Sequence, residues 1–127
     1  MTEYKWPSQN EIDELNKLFQ FPAIGDEQDW GIEFSDLNRI NEFLESYESG
    51  KLTAPQKMAV MELIIASFDE LLYLGKDDPQ LWKRIANHLN TEKDLHKYTL
   101  SYWACYEDQR DIFPTTERIR EIHKHAF

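Results

Sequence analysis

Apolar residues recur along this chain at the three-and-four spacing of a helix face, in segments that begin at capping residues and end at glycine or proline. Ser8 and Glu11 form a capping box in which each side chain satisfies a free amide at a helix start. Ile12, Leu15, Leu18 and Phe19 then share one face of a first helix, which Pro22 and Gly25 end. Ser35 caps a second helix running to about Ser49, with Gly50 as its stop. Leu37, Ile40, Phe43, Leu44 and Tyr47 make its apolar stripe, and Glu42 and Glu45 point away from it. Between these helices, residues 26–34 are short and irregular, and the pattern predicts a loop or extended piece.

Thr53, followed by Pro55 just inside the start, opens a third helix that Gly75 closes. Met58, Val60, Met61, Leu63, Ile64, Ile65, Phe68, Leu71, Leu72 and Leu74 leave only a narrow polar sector of Glu62, Asp69 and Glu70. A helix apolar on most sides must be surrounded, so residues 54-74 are predicted as the central element. Asp78-Pro79 starts a fourth helix that buries Leu81, Trp82, Ile85, Ala86 and Leu89. Thr91 caps a fifth, with Leu95, Tyr98, Tyr102, Cys105 and Tyr106 on one side and Leu100 and Trp103 nearby. Beyond Pro114, Thr115 or Thr116 caps a last helix bearing Ile119 and Ile122. No alternating β pattern, repeat or linker competes. The prediction is an all-α fold, a single compact domain over 1-127 with about six helices around the apolar third one.

Composition agrees with a packed core. The 127 residues suffice for one domain, and 41% hydrophobic with 13% aromatic content excludes an acidic disordered tail. The lone Cys105 cannot make an internal disulfide, and the N-terminus lacks the basic start and apolar run of a signal peptide. Glu62, Asp69 and Glu70 interrupt the longest apolar stretch, which therefore does not read as a membrane span. These features lead us to expect a soluble cytoplasmic protein with no membrane contact.

Catalytic chemistry finds little support. Four glycines and no Gly-x-Ser-x-Gly elbow leave no phosphate cradle or serine nucleophile, and Cys105 falls on a predicted buried face where a lone cysteine is a packing residue. His123 and His125 point about 200° apart on a helix, and His88 and His96 lack partners at ligand spacing. Asp26, Glu27, Asp29 and Glu33 lack the pattern of a calcium loop. The expectation is a protein with no catalytic residues, no metal and no cofactor.

Charge is the one pattern with a functional direction. Of the net −10, the first fifty residues hold −9: twelve acids against Lys5, Lys17 and Arg39. Lys83-Arg84 and Arg118 with Arg120 are too small to offset this field and are expected either to form ordinary solvated faces or to pair with Glu117 and Glu121, so direct nucleic-acid binding is not expected. An asymmetric negative field attracts basic surfaces. Asp26, Glu27, Asp29, Glu33 and Asp36 surround Trp30, Ile32 and Phe34, and Glu42 and Glu45 extend the charge. Carboxylates that steer a basic partner, with Trp30 as an aromatic anchor, make a candidate protein interface. The bland alternative is that Trp30 and Phe34 belong to the core and the acids only confer solubility.

The stretch Tyr102-Trp103-Ala104-Cys105-Tyr106-Glu107, followed by Ile112-Phe113-Pro114-Thr115-Thr116-Glu117-Arg118-Ile119, resembles helical immunity proteins of bacterial polymorphic and contact-dependent toxin systems. The resemblance lies in size, charge and helical character. It implies a mechanism in which an acidic protein covers the basic substrate groove of a toxin domain, such as a nuclease. A nucleic-acid mimic that inhibits a DNA-binding machine, and a structural or adaptor domain, are the two other readings of the same features.

Overall fold

The computed structural model describes residues 5–25, 27, 29–105 and 112–123. Among these the chain is all-helical: α1 (Gln9–Phe19), α2 (Trp30–Glu33), a 3-10 turn (Leu37–Arg39), α3 (Ile40–Glu48), α4 (Ala54–Tyr73), α5 (Pro79–Thr91), α6 (Lys97–Ala104) and α7 (Thr116–His123).

Local chemistry sets most of these boundaries. The Ser8–Glu11 box forms, with Glu11 N–H donating to Ser8 Oγ at 3.2 Å and Ser8 N–H to Glu11 Oε1 at 3.1 Å. Thr53 and Gln56 make a second box at the start of α4, and Asp78 Oδ1 accepts from Leu81 N–H at 3.0 Å to cap α5. α1 ends earlier than Pro22: Gln20 turns into the left-handed region at φ 58° and its N–H returns to Asn16 O and Lys17 O. Gly50 and Gly75, at φ 77° and 76°, supply the same turn after α3 and α4 at no steric cost.

Helix α4 is the core. Every residue from Met58 to Phe68 except Glu62 is buried, and α1, α2, α3 and α5 all pack on it. Leu15, Phe19, Phe43, Leu44, Ile85, Leu89, Leu100, Trp103, Ile119 and Ile122 complete one continuous apolar cluster. The circumference thins toward the C-terminal end, where Leu71 and Leu72 are half-buried and Leu74 is exposed.

Further sequence expectations are corrected: Ser35 caps no helix, since Asp36 caps the 3-10 turn and α3 starts only at Ile40. Residues 30–33, predicted as loop or extended, form the helical turn α2, because Trp30 and Gly31 bury themselves against α4. Leu18 lies off the buried face of α1 and is 53% exposed. Thr91 does not cap the fifth helix; it is the last residue of α5, its hydroxyl donates back to Asn87 O at 2.9 Å, and α6 starts only after His96. The inward face of α6 is Thr99, Leu100, Trp103 and Ala104, which leaves Tyr98 and Tyr102 exposed. Cys105 follows that helix in a left-handed conformation, half-buried, and Tyr106 lies outside the described residues.

Candidate protein-binding surface

Asp26 lies outside the described residues. Glu27 is half-buried; its carboxylate accepts from Ile24 N–H at 3.0 Å and Gly25 N–H at 3.3 Å, folding the segment after α1 back on itself. Asp29 precedes α2 at its N-cap position, exposed and with no capping hydrogen bond from its side chain. Glu33 and Glu45 project from α2 and α3 into solvent. Asp36 caps the 3-10 turn through Asn38 N–H at 2.9 Å, while its own N–H donates to Ser67 Oγ at 3.0 Å.

Trp30 is placed differently from the anchor expected of it. Only 3% of the residue is exposed, and its ring meets Phe21 and Phe34 edge-on. Its Nε1–H donates to Asn16 Oδ1 at 2.7 Å. Phe34 stacks on Phe21 with centroids 4.6 Å apart. The two aromatic rings among the acids therefore belong to internal packing, and Trp30 is a core residue rather than exposed contact area. Ile24 and Ile32 are the exposed apolar side chains of this region, joined by Leu18 from α1. Neither isoleucine had a periodic signal to mark it, and helical spacing placed Leu18 inward.

Part of the acidity is neutralised internally. Arg39 grips Glu42 through Nε and Nη2 at 2.9 and 2.7 Å, donates from Nη2 to Phe19 O at 2.7 Å, and covers the Phe21 and Phe43 rings. The hydrogen bond from Arg39 holds the Glu42 carboxyl below its ordinary range. Glu48 takes a bidentate Arg84 and also His88, and the Arg84 bond, against a modest desolvation cost, pulls its pKa down to about 2. Arg118 pairs with Asp77 at 2.7 Å rather than with Glu117 or Glu121, and Arg120 donates to the carbonyls of Ala104 and Cys105. Asp29, Glu33 and Glu45 make no ion pair or hydrogen bond among the described residues, and Arg39 is the one base of the N-terminal fifty drawn into the fold. The expected site residues thus divide into free carboxylates (Asp29, Glu33, Glu45) and structural ones (Glu27, Asp36, Glu42).

Where the start of α1 approaches the segment before α2, a cleft of about 140 Å³ is lined by Trp6, Pro7, Gln9, Ile12, Glu27 and Trp30. Trp6, with 46% of its surface exposed, is the open aromatic of this acidic end. Among the described residues, no group of three or more His, Cys, Asp and Glu is arranged to hold a metal ion, and no helix is long and apolar enough to cross a membrane. No family model, curated protein or solved structure matches the chain.

Proposed function

We propose that the protein is a non-catalytic binding protein whose acidic N-terminal half docks on a basic protein surface and blocks it, in the manner of an immunity protein that neutralises a toxin domain. One observation carries this reading: among the described residues Asp29 and Glu33 stand in solvent outside any ion pair, and Glu45 meets Arg84 only through its longer-range field, whereas Arg39, Arg84 and Arg118 are each bound to a carboxylate. The remaining external field is therefore negative at this end. Such a field accelerates encounter with a basic partner and repels nucleic acid. Exposed Ile24, Ile32 and Trp6 supply the apolar contact that charge alone lacks.

The reading is tested with the immobilised protein and an extract of its own source cells. A basic protein should be retained at low salt, be released as salt rises, and lose its activity when one equivalent of the protein is added back. Asp29→Lys, Glu33→Lys and Glu45→Lys combined should abolish both retention and inhibition. Retention of the same proteins by the parent and the folded triple variant, with no inhibition by either, contradicts it.

A further inference from the structure

The corner between α5 and α6 is held by a buried polar cluster that sequence patterning does not reveal. Tyr47 of α3 is buried at its centre. Its hydroxyl donates to Glu92 Oε1 at 2.7 Å and stands 2.7 Å from His96 Nε2. A phenol has one hydrogen, and the carboxylate can only accept it, so His96 must be the donor to Tyr47 Oη. His96 therefore carries hydrogen on Nε2, and burial favours the neutral form of the ring. In that form Nδ1 is bare and buried, and it has no hydrogen-bond partner among the described residues.

Among the described residues, charged and titratable groups reach His96 from α3, α4 and α5. Tyr47 is contributed by α3, Lys57 by α4, His88 by α5, and Glu92 by the C-cap of α5. Lys57 Nζ binds Glu92 Oε2 at 2.7 Å and lies 4.9 Å from the centre of the Tyr47 ring. The His88 ring packs on Tyr47 from another side at 4.9 Å, and His88 bonds Glu48. Glu92, the one anion beside His96 among the described residues, is already matched by a lysine.

We propose that His96 is an acid-sensitive latch: its neutral ring locks the α5–α6 corner onto Tyr47, and protonation releases that corner ahead of the rest of the core. The added proton must go to Nδ1, where no acceptor stands among the described residues. A buried cation without a new partner is costly, and opening the corner hydrates it. Burial chiefly, with help from Lys57 and His88 and against Glu92, depresses the ring's pKa from 6.5 to about 4. A depressed histidine pKa means that the open state binds more protons, so the latch is complete above pH 6.5 and weakens as pH falls toward 4.

Amide hydrogen exchange between pH 6.5 and 5, corrected for intrinsic rates, tests the latch. Protection at the His96 and Leu100 amides, which bond Glu92 O and His96 O, should fall by up to about tenfold per pH unit. Protection of Ile64 and Ile65 in α4 should hold, and the His96 ring resonance of the folded protein should remain that of the neutral form. His96→Gln keeps an N–H donor for Tyr47 and should abolish the pH dependence. Should that variant not fold, the exchange and ring titration of the parent decide alone. A His96 ring that titrates near 6.5 with the corner still protected overturns the proposal, as do a parallel loss in α4 or an unchanged profile in His96→Gln.

Discussion

Trp30 donates its indole hydrogen to Asn16 Oδ1 at 2.7 Å, and this bond joins the short α2 to the middle of α1. With Phe21 and Phe34 packed on it, the indole is the hub of a small aromatic cluster beneath the acidic end. Trp30→Ala should therefore unfold the protein more readily, by about 3–5 kcal/mol in urea denaturation. Asn16→Ala leaves the indole N–H without its acceptor and should cost about 1–3 kcal/mol. A Trp30→Ala loss below about 1 kcal/mol would show that the ring is not in the core.

Gly31 and Glu62 meet where α2 crosses α4. A Cβ on Gly31 would come 3.1 Å from both Glu62 Cγ and the backbone nitrogen of Leu63. The backbone of the central helix has little room to move, so overpacking should outweigh the helix propensity that alanine brings. Gly31→Ala is expected to destabilise by about 1 kcal/mol net, and an alanine variant more stable than the parent would refute the close approach.

Glu62 itself has no hydrogen-bond or ion-pair partner among the described residues, and burial, aided by the charge of Asp29, raises its pKa. A raised carboxyl pKa opposes folding once the group ionises. Glu62→Gln should then stabilise, with a gain that is greater at pH 8 than at pH 5. Equal gains at both pH values would mean that the carboxylate is not strained by burial.

Glu48 sets part of the acid limit of the fold. Its pKa is held at about 2 through Arg84 and His88, so its contribution is complete above 4.5 and is lost as pH falls from there toward 2. Glu48→Gln should flatten that acid limb of the stability curve. An unchanged limb would show that the α3–α5 ion pair adds nothing.

Trp82 is half-buried, its ring tilted against Phe68 with centroids 5.5 Å apart and covered by the Arg118 guanidinium at 5.8 Å. Because part of the ring stays wet, Trp82→Ala should cost about 2 kcal/mol, below the full-burial range. Thermal or urea unfolding measures this directly, and a cost of 4 kcal/mol or more, in the range for full burial, would contradict the open geometry.

The fold was legible where local rules acted without competition. Ser8 with Glu11, Thr53 ahead of Pro55, Asp78-Pro79 and Gly50 or Gly75 each mark a boundary through their own chemistry. The all-round apolarity of Met58 to Phe68 identified the central helix for the same reason. Helix α6 was not legible in phase, because Tyr98 and Tyr102 on one side rival Leu100 and Trp103 on the other, and only packing against α7 decides between them. Trp30 lies in a segment too short for periodicity, so its burial depended on α4, far away in sequence. The acidic asymmetry could be counted directly. Which carboxylates stay free could not, since pairs such as Glu48 with Arg84 bring together residues 36 apart in the chain.

We propose above all that the exposed carboxylates of the N-terminal half steer a basic partner. The most direct measurement is the association rate of the captured partner with the parent protein and with the folded Asp29→Lys/Glu33→Lys/Glu45→Lys variant, across a range of salt. Screening shortens the reach of exposed charge to about 8 Å at physiological ionic strength. The parent's association should therefore slow steeply with salt, and the variant should associate at least about tenfold more slowly at low salt with a flat or inverted salt dependence. Equal rates and equal salt slopes for the two proteins would show that this face is only a solubilising surface.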